Sequence, residues 1–460
     1  MYSARVTEAR EAALSDAGHL ASLPDGKLVR YPHDVCWAMR DRLASIVDTK
    51  NRPLREFTGE ERAFVLNERL LSKIDYRYYS ERYAVVVKET QDAAPLVPRW
   101  ASQDLFLARI AKLEEDRWEQ GHPDGLLLNV LKARQLGIST EVSMIGAHKV
   151  VTQGSIRGLV AGDVQEQSTY IFGMAESAIA ALPWWLPPTM VAHQTGEFLQ
   201  MDTGASLRAA WGKSSRGGLS ERDKKKGNIG RGKTHGYVHL TEISTWERPE
   251  QIDDGLMPGV PRRPRTFMVK ESTAKGRYDY WHREWLKADK NLGRFTNVFI
   301  PWYIEPDKYW LPAPAGWEPA EYTKAHAEAV ERDSPKWCLG QTLRLTREQL
   351  YWYEQTRRTF DEESDGPAFT GDGRRLPTFY EEYPATPEEA FQHAGVSIFG
   401  AHTLERLKGQ ERRPADILVI APRKDIALLK QFEREDQARQ QHLAAVEREK
   451  QKARGVGEPL

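Results

Sequence analysis

The chain has 460 residues, enough for two or three domains and at least one sizeable core. Lys plus Arg and Asp plus Glu each number 66, so overall charge points to no polyanion partner, and any nucleic-acid surface must come from local clustering. Cys36 and Cys338 are too few for a disulfide framework or a cysteine zinc site, no apolar run approaches a membrane span, and the amino terminus has no signal-peptide core, so a soluble intracellular protein is expected.

No internal repeat is evident. Residues 1–95 are expected to be mainly helical, with "EERAFVLNERLLSKI" the best amphipathic stretch. "YRYYSERYAVVV" then leads to "DAAPLVPRW", a proline-bearing joint. From 96 to 300 the short apolar runs "GLLLNVL", "IRGLVAG", "GYVHLTEI" and "RTFMVKEST" alternate with helical segments, and several end in polar residues. Strands of this kind predict an α/β fold with a mostly parallel sheet covered by helices on both faces. Ligands of such sheets bind beyond the carboxyl ends of the strands, where those polar residues would lie. Residues 301–400 are rich in proline and aromatics, with "TREQLYWYEQTRRTF" an expected helix, and read as a lid or second part of the same domain. Residues 401–460 end in a highly charged stretch that reads as a solvated helix or linker.

The stretch "LLLNVLKARQLGIST", Leu126 to Thr140, has the outline of a phosphate-binding loop with its lysine displaced. The usual loop reads glycine, four residues, glycine, lysine, then serine or threonine. Here Ile138 stands at the lysine position and Lys132 at that of the first glycine. The loop works through backbone N–H groups and a helix N-terminus facing the phosphates, so only the glycine and the hydroxyl are tied to position. A lysine on a long flexible stem can reach the same phosphates from Lys132, with Arg134 as a second charge and Ser139, beside Thr140, as Mg²⁺ ligand. An ordinary turn with two basic residues fits the stretch as well.

Downstream, "GYVHLTEISTW" is an apolar run ending in Glu242, the position of a carboxylate that would polarise an attacking water. Thr241 stands where an Mg²⁺-binding aspartate would be, so coordination there would run through a hydroxyl or water. A structural glutamate at a strand end is the alternative. "TFMVKESTAKG" is a further strand ending in Ser272 and Thr273, hydroxyls placed to sense a γ-phosphate or simply to end a strand.

Taken together, "KARQLGIST", "VHLTEISTW", "ESTAKG" and "YPATPEEAF" resemble the large terminase subunit of tailed bacteriophages, the motor that packages DNA into capsids. The resemblance covers about residues 77 to 399, and "YPATPEEAF" carries no catalytic logic visible in the sequence. It implies a P-loop, RecA/ASCE-like sheet and an ATP- and Mg²⁺-dependent ATPase. The implied phosphate loop comprises Lys132, Ala133, Arg134, Gln135, Leu136, Gly137, Ile138, Ser139 and Thr140. Glu242 is the implied catalytic carboxylate, and Ser272 and Thr273 the coupling motif. Ser139 and Thr241 are the implied metal-side residues. Gln103 matches loosely the family's glutamine near the adenine, and a surface glutamine fits it nearly as well. Implied partners are double-stranded DNA, the portal protein, the small terminase subunit and copies of the chain in a pentameric ring. Implied too is a location in the host bacterial cytoplasm, with transient docking on the procapsid and no membrane.

The glycine-rich segment between 212 and 236 carries Lys213, Arg216, Lys224, Lys225 and Lys226, suited to DNA phosphates or to a solvated loop. Arg231 in "GRGK" matches an arginine that in ring-forming members reaches a neighbour's ATP. Competing expectations are another nucleic-acid ATPase or helicase, and a non-catalytic packaging scaffold with a degenerate loop. The family normally continues into a ribonuclease-H-like nuclease domain with two divalent metals. After "EEAFQHAGVSIF" the sequence offers one strand candidate, "DILVIAP", while Glu433, Glu435 and Asp436 share one polar stretch, so endonuclease activity is not expected.

Overall fold

A computed structural model describes residues 4–48, 54–87, 93–121, 125–212, 232–277, 279–364 and 378–391. The first part is helical, with α1 Ala4–Asp16, α2 His33–Ala44, α3 Gly59–Ile74 and α4 Tyr76–Tyr83. The stretch expected to be the best amphipathic helix is α3. It starts at a reciprocal cap, in which the Thr58 hydroxyl accepts from the Glu61 N–H and the Glu61 carboxylate accepts from the Thr58 N–H. Two short antiparallel strands follow, β1 Val85–Val87 and β2 Ala93–Pro95.

Helix α5 Ala101–Glu119 then leads to β3 Leu126–Lys132, α6 Ile138–Thr152, β4 Arg157–Gly162 and α7 Gln165–Ala180. Next come β5 Met190–Gln194, β6 Phe198–Met201, β7 Ser206–Trp211, β8 Tyr237–Thr241 and β9 Phe267–Ser272. Helix α8 Tyr280–Asp289 and strand β10 Thr296–Ile300 complete the sheet region. Beyond it lie α9 Glu321–Trp337, α10 Arg347–Ser364, and the short helices α11 Phe379–Glu382 and α12 Pro387–Ala390.

The main sheet has 8 strands in the order β10, β3, β9, β8, β4, β7, β6, β5. From β10 to β7 the pairing is parallel, and β6 and β5 add an antiparallel edge. The fold class expected from the sequence is therefore present. Its cause is visible in β3: Leu126, Leu128 and Val130 enter one core and Leu127 and Leu131 the other, so apolar residues are needed on both faces of the strand. Strands β5 to β7 and β10 lie outside the apolar runs expected to form strands. β5 is largely exposed, and β6 and β7 alternate between buried and partly exposed residues, which gives them no continuous apolar run. Among the described residues no helix is long and apolar enough to cross a membrane.

The joint before α5 is tied to α6 by a buried network. Glu141 on α6 is fully buried, accepts from the Tyr76 hydroxyl at 2.7 Å, and lies 3.3 Å from Arg99 Nε. Burial raises the proton affinity of Glu141, while Arg99 and Tyr76 oppose that rise. Arg99→Met should therefore leave a buried carboxylate short of its counter-charge and destabilise the protein by about 3–5 kcal/mol. Thermal melts check this, with Glu141→Gln in the same background expected to recover part of the loss.

Candidate nucleotide-binding site

The loop after β3 is held from outside by its carbonyl groups. The Tyr309 hydroxyl donates to the Arg134 carbonyl and Lys308 Nζ to that of Gln135. Ser102 Oγ donates to the Leu136 carbonyl at 2.7 Å, and Gln103 Nε2 to the Gly137 carbonyl at 3.1 Å. A trans peptide sets each carbonyl opposite the next N–H. These contacts therefore turn the N–H groups of Gln135 through Ile138 away from the donors, toward the free side of the loop. Helix α6 starts at Ile138, so Ser139 and Thr140 sit in its first turn rather than ahead of it. No side chain caps this N-terminus. Backbone N–H groups left on that side, together with the uncapped start of α6, suit an anion.

The glycine is required for two reasons. Gly137 has φ 67°, in the left-handed region, and a Cβ there would come within 3.0 Å of Gln103 Nε2 and 3.1 Å of Trp100. Gln103 is thus buried against the loop and not on the surface, its amide shared between the Gly137 carbonyl and the Trp100 N–H. Trp100 remains 46% exposed beside it, with Lys308 Nζ 4.4 Å from its ring centre.

Lys132 ends β3 and points into a cluster of acids. Its Nζ lies 3.6 Å from Glu242 Oε1 and 4.0 Å from Glu271 Oε2. Burial works to lower its proton affinity, but Glu242 and Glu271 more than compensate, so Lys132 is held protonated. Glu242, just past β8, is partly exposed, with a side-chain exposure of 32%. Its φ of 52° is left-handed, a conformation that costs a non-glycine residue about 1–3 kcal/mol and concentrates at functional sites. Glu271 on β9 is fully buried, and His239 Nε2 stands 2.8 Å from its Oε1. Burial would raise the proton affinity of Glu271, yet Lys132, His239 and the nearby Ser139 hydroxyl bring its pKa down to about 2. An ionised carboxylate only accepts, so His239 Nε2 carries the proton.

Of the remaining expected residues, those described fall around this centre. Ser272 is buried at the end of β9, its hydroxyl 2.8 Å from Ser244 Oγ and accepting from the Ser244 N–H at 3.1 Å. That bond ties the β9 exit to the turn carrying Glu242; Thr273, next to it, is half-buried. Thr241 is buried and in register with Glu271. Arg134 is exposed, with Nε 2.6 Å from Glu382 Oε2 and its N–H donating to the Glu382 carbonyl. Lys213, Arg216, Lys224, Lys225, Lys226 and Arg231 lie outside the described residues, as do "DILVIAP" and the acidic tail.

The phrase "YPATPEEAF" acquires a local cause. Thr386 caps α12, Pro387 opens it, and the half-buried Glu389 accepts from the Ala385 N–H at 2.7 Å. Phe391 then packs near His282 and Trp285 on α8, and its carbonyl accepts from Arg277. The segment braces the β9 exit, and Glu382 just before it holds Arg134 of the loop after β3.

The expected Mg²⁺ fits the donors present. Oxygen ligands suit it, one or two carboxylates suffice beside waters and phosphates, and Glu271 Oε2 is buried without a hydrogen bond. Among the described residues no group of 3 or more His, Cys, Asp or Glu side chains forms a metal cage. A cavity of about 410 Å³ lies at the opposite end of β3, lined by Arg10, Lys73, Glu114, Arg117 and Lys149, and contains none of the site residues.

No protein-family model matches this chain, and no curated protein matches it. Among solved structures, a mutant of the large terminase ATPase domain of Thermus phage P74-26 is 13% identical, with 56% of this chain and 86% of that domain covered and a TM-score of 0.30. The same domain without that mutation is 15% identical, with coverages of 46% and 87% and a TM-score of 0.27. A large terminase from a thermophilic bacteriophage is 11% identical, with coverages of 53% and 52% and a TM-score of 0.29. This chain is similar, in part and at low identity, to bacteriophage large terminase ATPase domains.

Proposed function

We propose that the chain is the ATP-hydrolysing motor of a terminase large subunit, driving double-stranded DNA into a procapsid. The observation that carries the reading is Lys132 and Glu242 meeting beside the uncapped start of α6, at the carboxyl ends of β3 and β8. In this reading the loop N–H groups and Lys132 take the β- and γ-phosphates. Glu242, the carboxylate open to solvent, accepts a proton from the water whose oxygen attacks the γ-phosphorus. The bond from that phosphorus to the bridging oxygen breaks, and ADP and phosphate leave. Mg²⁺, held through Ser139 with Thr241 alongside, would neutralise phosphate charge when bound. Ser272, joined to the Glu242 turn through Ser244, is suited to relay a change at the γ-phosphate, with Thr273 beside it. Gln103 shapes the loop beside the nucleotide.

An ATP turnover assay with and without double-stranded DNA tests the reading. Turnover that DNA stimulates is the expected result. Absence of turnover under all conditions would favour a scaffold, and strand separation without packaging a helicase.

Arg231 and the basic segment from Lys213 through Arg216 to Lys224, Lys225 and Lys226 are assigned to a neighbour's ATP and to DNA phosphates. Specific activity should then rise with protein concentration or on procapsids, as copies of the chain form a ring on the portal with the small subunit. Mixing Arg231→Ala chains with Glu242→Gln chains should recover part of the activity through mixed interfaces. Assembled mixtures with no recovery would place Arg231 in its own subunit's site.

A further inference from the structure

On the reading of this site as an ATPase centre, we infer that Glu271 is the carboxylate that holds the nucleotide's metal, one strand away from the hydroxyl of Thr241. The sheet register carries the argument. Strand β9 lies between β3 and β8, and Glu271 pairs with Val130 on one side and Thr241 on the other. Side chains at matched positions of parallel strands share a face. Val130, Lys132, Glu271, His239 and Thr241 therefore face the same side, and the loop with Ser139 closes over it. Position 241 on β8 holds a hydroxyl, and a carboxylate stands at the same height on the neighbouring strand.

The surroundings of Glu271 fit a ligand better than a counter-ion. Its Oε1 is fixed by His239 Nε2 at 2.8 Å, which leaves Oε2 directed toward Lys132 at 4.0 Å. That Oε2 is buried and has only the more distant Lys132 ammonium and the nearby Ser139 hydroxyl about it, with no close hydrogen bond. Leaving a buried charged oxygen unsatisfied is expensive, and such an atom in a folded protein calls for a functional role, a water or an ion to complete its set. Balancing Lys132 does not require Glu271, because Glu242 lies closer, at 3.6 Å. The preceding residue supports the same division. Lys270 points to the other face and has its own buried partner, Glu284, at 2.9 Å.

The test is the affinity of a fluorescent ATP analogue, measured in chelator and again with Mn²⁺. Wild type should bind more tightly with the metal. Glu271→Gln should lose at least tenfold of that metal-dependent gain while metal-free affinity does not fall, since a negative charge beside Lys132 is removed. Adding Thr241→Asp to Glu271→Gln should restore the gain, since it returns a carboxylate to the adjacent matched position. A structural partner of Lys132 would not be rescued that way. A gain kept in full by Glu271→Gln, or an equal loss with and without metal, overturns the inference. If Glu271→Gln does not fold, Glu271→Asp keeps the charge and withdraws the oxygen by one methylene. It should then show a reduced gain at a near-wild-type melting temperature, and an unchanged gain overturns the inference. Wild type that binds no nucleotide in either condition defeats the ATPase reading itself, a result distinct from a variant that behaves as wild type.

Discussion

Glu242→Gln is expected to cut ATP turnover by about 10³-fold while ATP affinity stays within a few fold of wild type or tightens. Three acids surround Lys132, and exposure decides between them. Glu271 is fully buried and fixed by His239, and Glu382 is mostly buried and paired with Arg134. Glu242 alone of the three combines partial exposure with contact to Lys132. A general base must reach both a water and the phosphate the lysine holds, so it is the carboxylate with access. The amide of glutamine matches the volume and the left-handed backbone but cannot take the proton. The phosphate loop is untouched, and removal of a negative charge near the phosphates can only favour their binding. Lys132 keeps Glu271 as a partner, so folding should survive, and equal melting temperatures would show that it does. Turnover within tenfold of wild type in a folded, ATP-binding Glu242→Gln protein would remove Glu242 from the mechanism.

The parts of this site that were legible in the sequence are those written in contiguous residues. Strands β3, β4, β8 and β9 are buried on both faces, and that forces apolar runs ending in the polar residues that mark their carboxyl ends. The displaced lysine could be proposed because glycine and hydroxyl keep their local spacing. Glu271 could not, because its meaning depends on β9 inserting between β3 and β8 and on a register that pairs it with Thr241. Nothing in "VKEST" distinguishes that glutamate from an ordinary one. Lys308, Tyr309 and Ser102, which hold the loop carbonyls, come from distant segments with no motif of their own. The brace in "YPATPEEAF" did have a signal. Threonine, proline and then a glutamate three residues past the cap is a helix-start pattern, and its role follows once α12 is seen to stand under the β9 exit.

Lys132→Met should weaken ATP binding by at least tenfold and should also destabilise the protein, by an amount that depends on pH. The affinity loss follows from removing the one lysine of the loop, about 1.4 kcal/mol or more. The stability loss follows from what remains. Glu271 is fully buried, and Lys132 is the leading influence that offsets its burial and brings its pKa to about 2. In wild type this depressed value stabilises the fold above the ordinary carboxylate range, and that contribution is lost as pH falls through the range toward 2. Without Lys132, only His239 and Ser139 oppose burial, so the proton affinity of Glu271 rises. The variant is then penalised most where the unfolded chain would be ionised, at neutral and higher pH, and recovers as the medium becomes acidic. Breaking a buried pair in this way costs about 3–5 kcal/mol. Thermal melts of both proteins from pH 5 to pH 8 should therefore diverge as pH rises, and Glu271→Gln added to Lys132→Met should remove most of that divergence. Parallel melting curves would mean that Lys132 and Glu271 are not coupled. ATP affinity equal to wild type in Lys132→Met would end the displaced-lysine account and pass the role to Arg134, which would then have to leave Glu382 to reach the phosphates.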